Sequence, residues 1–365
     1  EDIPRNYCRY GIDPDWFRRD LEALDPPDLV LVTSLMTYWY PGVRETIGAI
    51  RSIHPQAPVV LGGIYATLCP DHARRTCGAD RVAVGPGEGA ILPLAAELIG
   101  WSPTPRFDPQ DLDSLPLPVM DLEHRLAHVP VLTSRGCPFQ CAYCASHRLQ
   151  PRMMRRSPRS VAAEIVYWHR HHGVRDFAFY DDALLVDAER HIIPLLEQII
   201  DAGINVRFHT PNALHIREIT RPLARLMRRA GFHTIRLGLE TTAFERRQSM
   251  DRKVNEEEFL RTIGHLKAAG FSAGQVGAYL LAGLPGQDVT GVENSIAVVK
   301  QAGVTPVIAH YTPIPHTPMW DDAVAASRYD LESDPIFTNN AIFPCQSERF
   351  SWEVLTRLKH LAAGT

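Results

Sequence analysis

The chain has 365 residues, 45% hydrophobic and 22% charged, with a net charge of −4 and a pI near 6.5. That balance excludes wholesale disorder, and at about 150 residues per domain the length predicts two domains and an extension. The mild acidity excludes a global basic field, so nucleic acid is not an expected partner. No apolar run approaches the ~20 residues of a membrane-crossing helix, and no signal peptide is visible, so a cytoplasmic location is expected.

In chain order, Leu29 to Val32 reads as a buried strand, and Pro41 to Ile53 as a helix with Val43, Ile47 and Ile50 on one face. Strands are predicted at Pro58 to Leu61, ending at Gly62-Gly63, and at Arg81 to Val84, ending at Gly85-Pro86-Gly87-Glu88-Gly89, with a helix to about Ile99. Strand–helix alternation means βαβ units and a parallel sheet, so residues 1–100 read as a Rossmann-like (flavodoxin-like) domain. Three strands are few for that fold. The chain begins at Glu1 rather than Met, so an early βα unit is expected to precede it.

Residues 101–130 hold six prolines and read as a linker. Beyond it, strands are predicted at 131–134, 175–181, 204–210, 234–240, 273–282 and 306–311, and helices at 158–172, 187–202, 220–230, 255–269 and 288–302. Gly173, Gly203, Gly231, Gly270 and Gly303 each follow a helix, where a left-handed C-terminal cap favours glycine. Residues 131–320 thus read as a partial (β/α)6 barrel, and 321–365 as a C-terminal extension with a helix from Trp352.

Seven cysteines, an odd count in a long chain, do not make a secreted disulfide scaffold. Three of them, Cys137, Cys141 and Cys144, have C-x3-C-x2-C spacing just after the first barrel strand. Three close thiolates suit an iron–sulfur cube, which needs four ligands and would keep one iron open. The same cysteines with His147 would also make a tetrahedral Cys3His zinc site. Placement favours a reaction centre, because loops after barrel strands form the active face.

The spacing, the aromatic Tyr143 before the third cysteine and the downstream (β/α) units resemble the radical S-adenosylmethionine (SAM) superfamily. The resemblance implies a [4Fe–4S] cluster on Cys137, Cys141 and Cys144 whose open iron chelates SAM and cleaves it to a 5′-deoxyadenosyl radical. Gly238-Leu239-Glu240-Thr241-Thr242 resembles the family's G-x-E-[ST] turn, and Gly277 to Gly286 its fifth-strand glycine motif. SAM contacts are implied at Phe139, Tyr143, Asp181, Asn212, Glu240 and Gly283. The plainer reading of Asp181, Asp182 and Glu240 is helix capping. Arg148, Arg152, Arg155, Arg156 and Arg159 form a run that could bind an anion, though such runs are usually solvated.

The first domain resembles the cobalamin-binding domain that precedes the radical core in cobalamin-dependent radical SAM enzymes. Thr33, Ser34, Leu35, Met36, Tyr38, Gly62, Gly63, Gly85, Gly87 and Glu88, all after strands, are the implied corrin contacts. The D-x-H-x-x-G motif for an axial histidine is missing, and His54 and His72 lie in other contexts. The combined resemblance implies methylation of an unactivated carbon of a small molecule or peptide, with an electron donor such as flavodoxin or ferredoxin. The alternatives are a cobalamin-containing rearrangement or cyclisation without methyl transfer, and a zinc or iron–sulfur module without radical turnover. His209, Tyr279, His310, Tyr311, His316 and Cys345 are candidate substrate-pocket residues, none of them assigned a catalytic role.

Overall fold

A computed structural model describes residues 8–122, 125–244, 250–251 and 253–364. Residues 1–7 of the expected first domain and 123–124 of the expected linker lie outside them. The described chain divides into two compact units. One takes the chain up to Arg106 with Thr312–Gln346; the other takes Phe107–Tyr311 with Ser347 onward.

The first unit is built on three parallel strands in sequence order, β1 (Val30–Ser34), β2 (Val59–Gly63) and β3 (Arg81–Val82). Val59, Val60 and Leu61 are all buried, as the continuous apolar run of a covered parallel strand requires. The expected helix forms over Tyr40–Ile53 and packs Ile47 and Ile50 against Val59, Leu61 and Tyr65. Three unexpected helices, Pro14–Glu22, Ile64–Leu68 and Pro70–Thr76, fill the connections. Pro70 lacks an amide proton and sets its own φ, so it opens a new helix.

The expected extension, 321–365, does not form one element. Thr312–Gln346 belongs to the first unit because its polar groups are satisfied there. Tyr40 Oη donates to Asp334 (2.8 Å), Thr37 and Thr338 share a hydroxyl hydrogen bond (3.0 Å), and His316 Nε2 meets Leu68 O (2.9 Å). The helix Trp352–Ala363 instead buries Leu355 and Leu358 in the second unit, where Trp352 meets His310 edge-on at 6.5 Å.

The second unit begins with β4 (Val129–Val131), β5 (Ser134–Arg135) and β6 (Met154–Arg155). The rest of its strands are β7 (Asp176–Phe179), β8 (Arg207–His209), β9 (Phe232–Glu240), β10 (Val276–Ala282) and β11 (Thr305–His310). β4, β7, β8, β9, β10 and β11 make one parallel sheet in that order, the expected partial barrel. The strand expected at 131–134 is split. β4 ends at Val131, and β5 leaves the sheet to pair antiparallel with β6, Ser134 opposite Arg155.

Helices cover the outer face of this sheet. Ser157 caps the first by accepting from Ser160 N–H, and Asn255 with Glu258 forms a capping box on another. Gly231 closes a helix at φ 102°, where a Cβ would lie 2.4 Å from Val206 O. Phe177, Phe179, Phe208 and Phe232 point outward into the core, with ring centroids 5.1 to 6.2 Å apart. The alternate positions, Asp176, Ala178, Tyr180 and His209, line the inner face. No helix among the described residues is long and apolar enough to cross a membrane.

Candidate functional site

The cysteine loop is strung between β5 and β6. Gly136 leaves β5 at φ 86°, and a Cβ there would lie 2.9 Å from Arg152 O, so the loop's two ends pass too closely for any side chain. Beyond β4, Thr133 N–H donates to both oxygens of Asp181 (3.1 and 3.2 Å). The hydroxyls of Thr133 (2.7 Å) and Ser134 (2.6 Å) donate to the same carboxylate. Asp181 is 3% exposed, and burial outweighs these donors to raise its pKa. The residue expected to touch SAM is therefore spent inside the protein, holding the strand that launches the cysteine loop.

All three loop cysteines are free thiols; Cys141 is buried and the other two are half-buried. Burial raises all three pKa values, Cys137 to about 11. Protonated thiols must lose protons to ligate iron, so loading is coupled to proton release. Among the described residues no three His, Cys, Asp or Glu side chains converge on one metal ion. A cube takes each thiolate on a different iron, so its ligands need not share one point. Three free thiols on one tethered loop suit that group.

Several neighbours of the loop come from distant segments of the chain. His215 Nε2 lies 3.8 Å from Cys137 Sγ, and its ring packs on Phe139 at 4.3 Å. Burial lowers the pKa of His215 to about 3, which leaves the ring neutral. Tyr143 Oη donates to Asp251 (3.4 Å) and accepts from Lys253 Nζ (3.4 Å). Lys253 is half-buried; burial would lower its pKa, but its contact with Cys141 and the carboxylates of Glu240 and Asp251 outweigh that and raise it. Lys253 in turn opposes the burial-driven rise at Cys141, to which it is hydrogen-bonded. Asp182, beside the spent Asp181, accepts from Ser146 Oγ.

The other expected SAM contacts sit at strand ends, where open α/β sheets present ligands. Asn212 donates to Tyr180 O (2.7 Å). Glu240, buried at the end of β9, holds φ 61°, an uncommon conformation for a residue with a Cβ. Gly283 N–H donates to Gln287 Oε1 (2.7 Å), whose Nε2 returns to Leu281 O (2.8 Å). His215, Asp251, Lys253 and Gln287 carry no motif of their own, so no local signal marks them.

Two of the loop arginines are committed elsewhere. Arg155 bonds Asp187 and Val186 O, and Arg156 pairs with the buried Glu164. Cys345 is buried in the first unit with its pKa raised to about 12, and His316 is bonded there to Leu68 O. Tyr279 and His209 do line an inner cavity of about 430 Å³.

In the first unit, the ten expected corrin contacts lie along the C-terminal edge of the sheet. Ser34 Oγ donates to Gly62 O (2.8 Å). Thr67 Oγ1 donates to Gly63 O (2.8 Å) and accepts from Gly85 N–H (3.0 Å), so one unanticipated threonine ties two turns together. Gly63 holds φ 93°, and a Cβ there would lie 2.2 Å from Ser34 O. Its missing side chain therefore serves the closure of β1 on β2, whereas a Cβ at Gly62 would meet only Ala83, at 4.0 Å. Leu35, Met36, Trp39 and Val84 expose large apolar side chains along this edge, which suits the flat face of a macrocycle. Tyr38 is half-buried, Gly85 has φ 84°, and Gly87 and Glu88 open the following helix. His54 bonds Leu21 O (3.0 Å) and His72 bonds Tyr65 Oη (2.8 Å).

Comparison with known proteins agrees with both units. Residues 131–299 match the radical SAM superfamily, and residues 7–95 match the B12 binding domain. An uncharacterized methyltransferase of Pyrococcus horikoshii, PH0819, is 26% identical over 330 residues, covering 82% of this chain and 70% of that protein. The anaerobic magnesium-protoporphyrin IX monomethyl ester cyclase of Synechocystis is 28% identical over 247 residues, covering 59% of this chain and 48% of that protein. The radical SAM methyltransferase TsrM from Kitasatospora setae, solved with cobalamin and a [4Fe–4S] cluster, superposes with a TM-score of 0.70 at 19% identity. That superposition covers 87% of this chain and 68% of TsrM, and it shows a shared fold.

Proposed function

Because the chain belongs to the B12-binding-domain radical SAM enzymes, we propose that it transfers a methyl group to an unactivated carbon of a small molecule. The observation that carries this reading is the presence in one chain of a three-cysteine loop at a barrel's strand ends and a B12-binding domain with an apolar strand-end edge. When bound, the cluster supplies the electron that cleaves SAM, and cobalamin supplies the methyl group.

In this reading Cys137, Cys141 and Cys144 hold the cluster, and Lys253 offsets the negative charge that gathers around Cys141. Phe139 and the neutral His215 wall the loop on one side. Glu240 and Asn212 would offer acceptors to the polar groups of SAM, and the turn at Gly283, held by Gln287, would help hold it. Asp181 acts as a positioning residue. Thr33, Ser34, Leu35, Met36, Tyr38, Gly62, Gly85, Gly87 and Glu88 would hold the corrin at the strand ends of the first unit. The electron donor is a flavodoxin or ferredoxin, and the reducing cytoplasm is the fitting compartment.

A second reading is ring formation or rearrangement without methyl transfer, favoured by the relative named as a cyclase. Mass spectrometry of SAM products from anaerobically reconstituted, reduced protein separates the two. Methyl transfer yields both 5′-deoxyadenosine and cobalamin-dependent S-adenosylhomocysteine; the second reading yields 5′-deoxyadenosine alone. Undiminished SAM cleavage after Cys137, Cys141 and Cys144 are replaced by Ala would sink both.

A further inference from the structure

We propose that the cavity on the inner face of the barrel is the substrate pocket, and that Arg236 there binds an oxyanion, carboxylate or phosphonate, on a planar small molecule. This rests on the enzyme reading above and adds a substrate class to it.

The sheet's two faces differ in chemistry. Phenylalanines crowd the outer face, whereas the inner one borders an open cavity of about 430 Å³ lined by Asp176, Tyr180, His209, Thr234, Arg236 and Tyr279. That volume suits a small molecule. The one carboxylate among these residues is already answered. Asp176 accepts from Arg207 Nε (2.6 Å) and contacts His209 Nε2 (3.0 Å), and its pKa is drawn down to about 2, first by Arg207. His209 is held at its other nitrogen by Thr234 Oγ1 (3.1 Å).

Arg236 is different. Its Nη1 donates to the neighbouring Ile235 O (3.2 Å), and no carboxylate pairs with it among the described residues. With Asp176 offset by Arg207, the cavity keeps one positive charge in excess. A half-buried guanidinium without a counter-ion is costly, and its planar fork fits two oxygens of a carboxylate or phosphonate.

The position is also built. Gly277 stands opposite Arg236 on β10, and a Cβ there would lie 3.2 Å from Arg236 Cδ and Nη1 and 3.0 Å from Val307 Cγ2. The glycine is the space in which the arginine's arm lies. The rings of Tyr180 and Tyr279 add flat walls, and Tyr279 is fixed by its hydroxyl on Pro211 O (3.0 Å).

Calorimetric titration of the iron-reconstituted full chain with benzoate, phenylphosphonate and benzyl alcohol tests this. Wild type should bind at least one of the two anions. Arg236→Gln should weaken that binding roughly 10- to 100-fold, as loss of a charge-assisted hydrogen bond implies. Arg236→Lys should fall between them. Gly277→Ala should also weaken it although the guanidinium remains in the chain, and benzyl alcohol should respond to none of the variants. Thermal unfolding checks each variant's fold. Preference for benzoate points to a carboxylate, and preference for phenylphosphonate to a phosphonate. The proposal is overturned if neither anion binds wild type, or if folded Arg236→Gln binds as wild type does. No SAM is consumed in this assay, so failure of methyl transfer and failure of anion binding are read separately.

Discussion

Thr133 and Asp181, 48 residues apart, are joined three times: the Thr133 amide reaches both carboxylate oxygens and its hydroxyl reaches one at 2.7 Å. The same hydroxyl accepts from His191 Nε2 at 2.7 Å, and all three residues are buried. This network stands where the chain leaves the sheet for the cysteine loop. Asp181→Ala would strand an amide and two hydroxyls, at a cost of about 3 kcal/mol. Iron per chain after reconstitution should fall with the melting temperature. Wild-type values for both would show that the carboxylate anchors nothing.

The network also predicts an acid limit. Burial lowers the pKa of His191 to about 4 from its usual 6.5. Between those values the unfolded state takes up a proton that the folded state refuses, so stability falls as pH drops from 6.5 toward 4. Denaturant unfolding followed across that range should show a shallower pH slope for His191→Gln than for wild type. Equal slopes would mean that the ring titrates freely.

Gly136→Ala tests the tightness of the loop entrance. At φ 86°, with Arg152 O 2.9 Å from the new methyl, the substitution should cost more than about 1 kcal/mol. It should also misplace Cys137, next in the chain. The expected readout is substoichiometric iron with a weakened cluster absorption band; full loading would refute it.

Lys253→Met removes the half-buried cation beside Cys141. Positive charge and hydrogen bonds at cluster sulfurs raise reduction potentials. An anaerobic redox titration followed by electron paramagnetic resonance should therefore place the variant's cluster at a more negative potential than wild type, even when iron content is equal. A potential unchanged or more positive would separate Lys253 from the cluster.

Much of this protein was legible in one dimension. Period and punctuation predicted the parallel strands of both units, because buried parallel strands are continuous apolar runs and helix ends favour glycine. The C-x3-C-x2-C spacing marked its loop because ligands of one cluster must be close in sequence when a single loop carries them. Asp181 was legible as a residue but not in its task, since only the fold shows that Thr133 and Ser134 consume its oxygens.

Spacing and alternation are properties of the chain itself, and from them the two domain types and the cysteine loop followed. What closes around that loop was decided by tertiary structure. His215 and Lys253 come from segments 78 and 112 residues beyond Cys137 and Cys141. The last stretch of chain divides between two units because Asp334 and Thr338 meet partners in the first, whereas Leu355 and Leu358 bury in the second. Arg236 became conspicuous only when the fold gave Asp176 to Arg207 and left the second guanidinium without a carboxylate among the described residues. Sequence states which charges a chain carries; only packing decides which of them are answered.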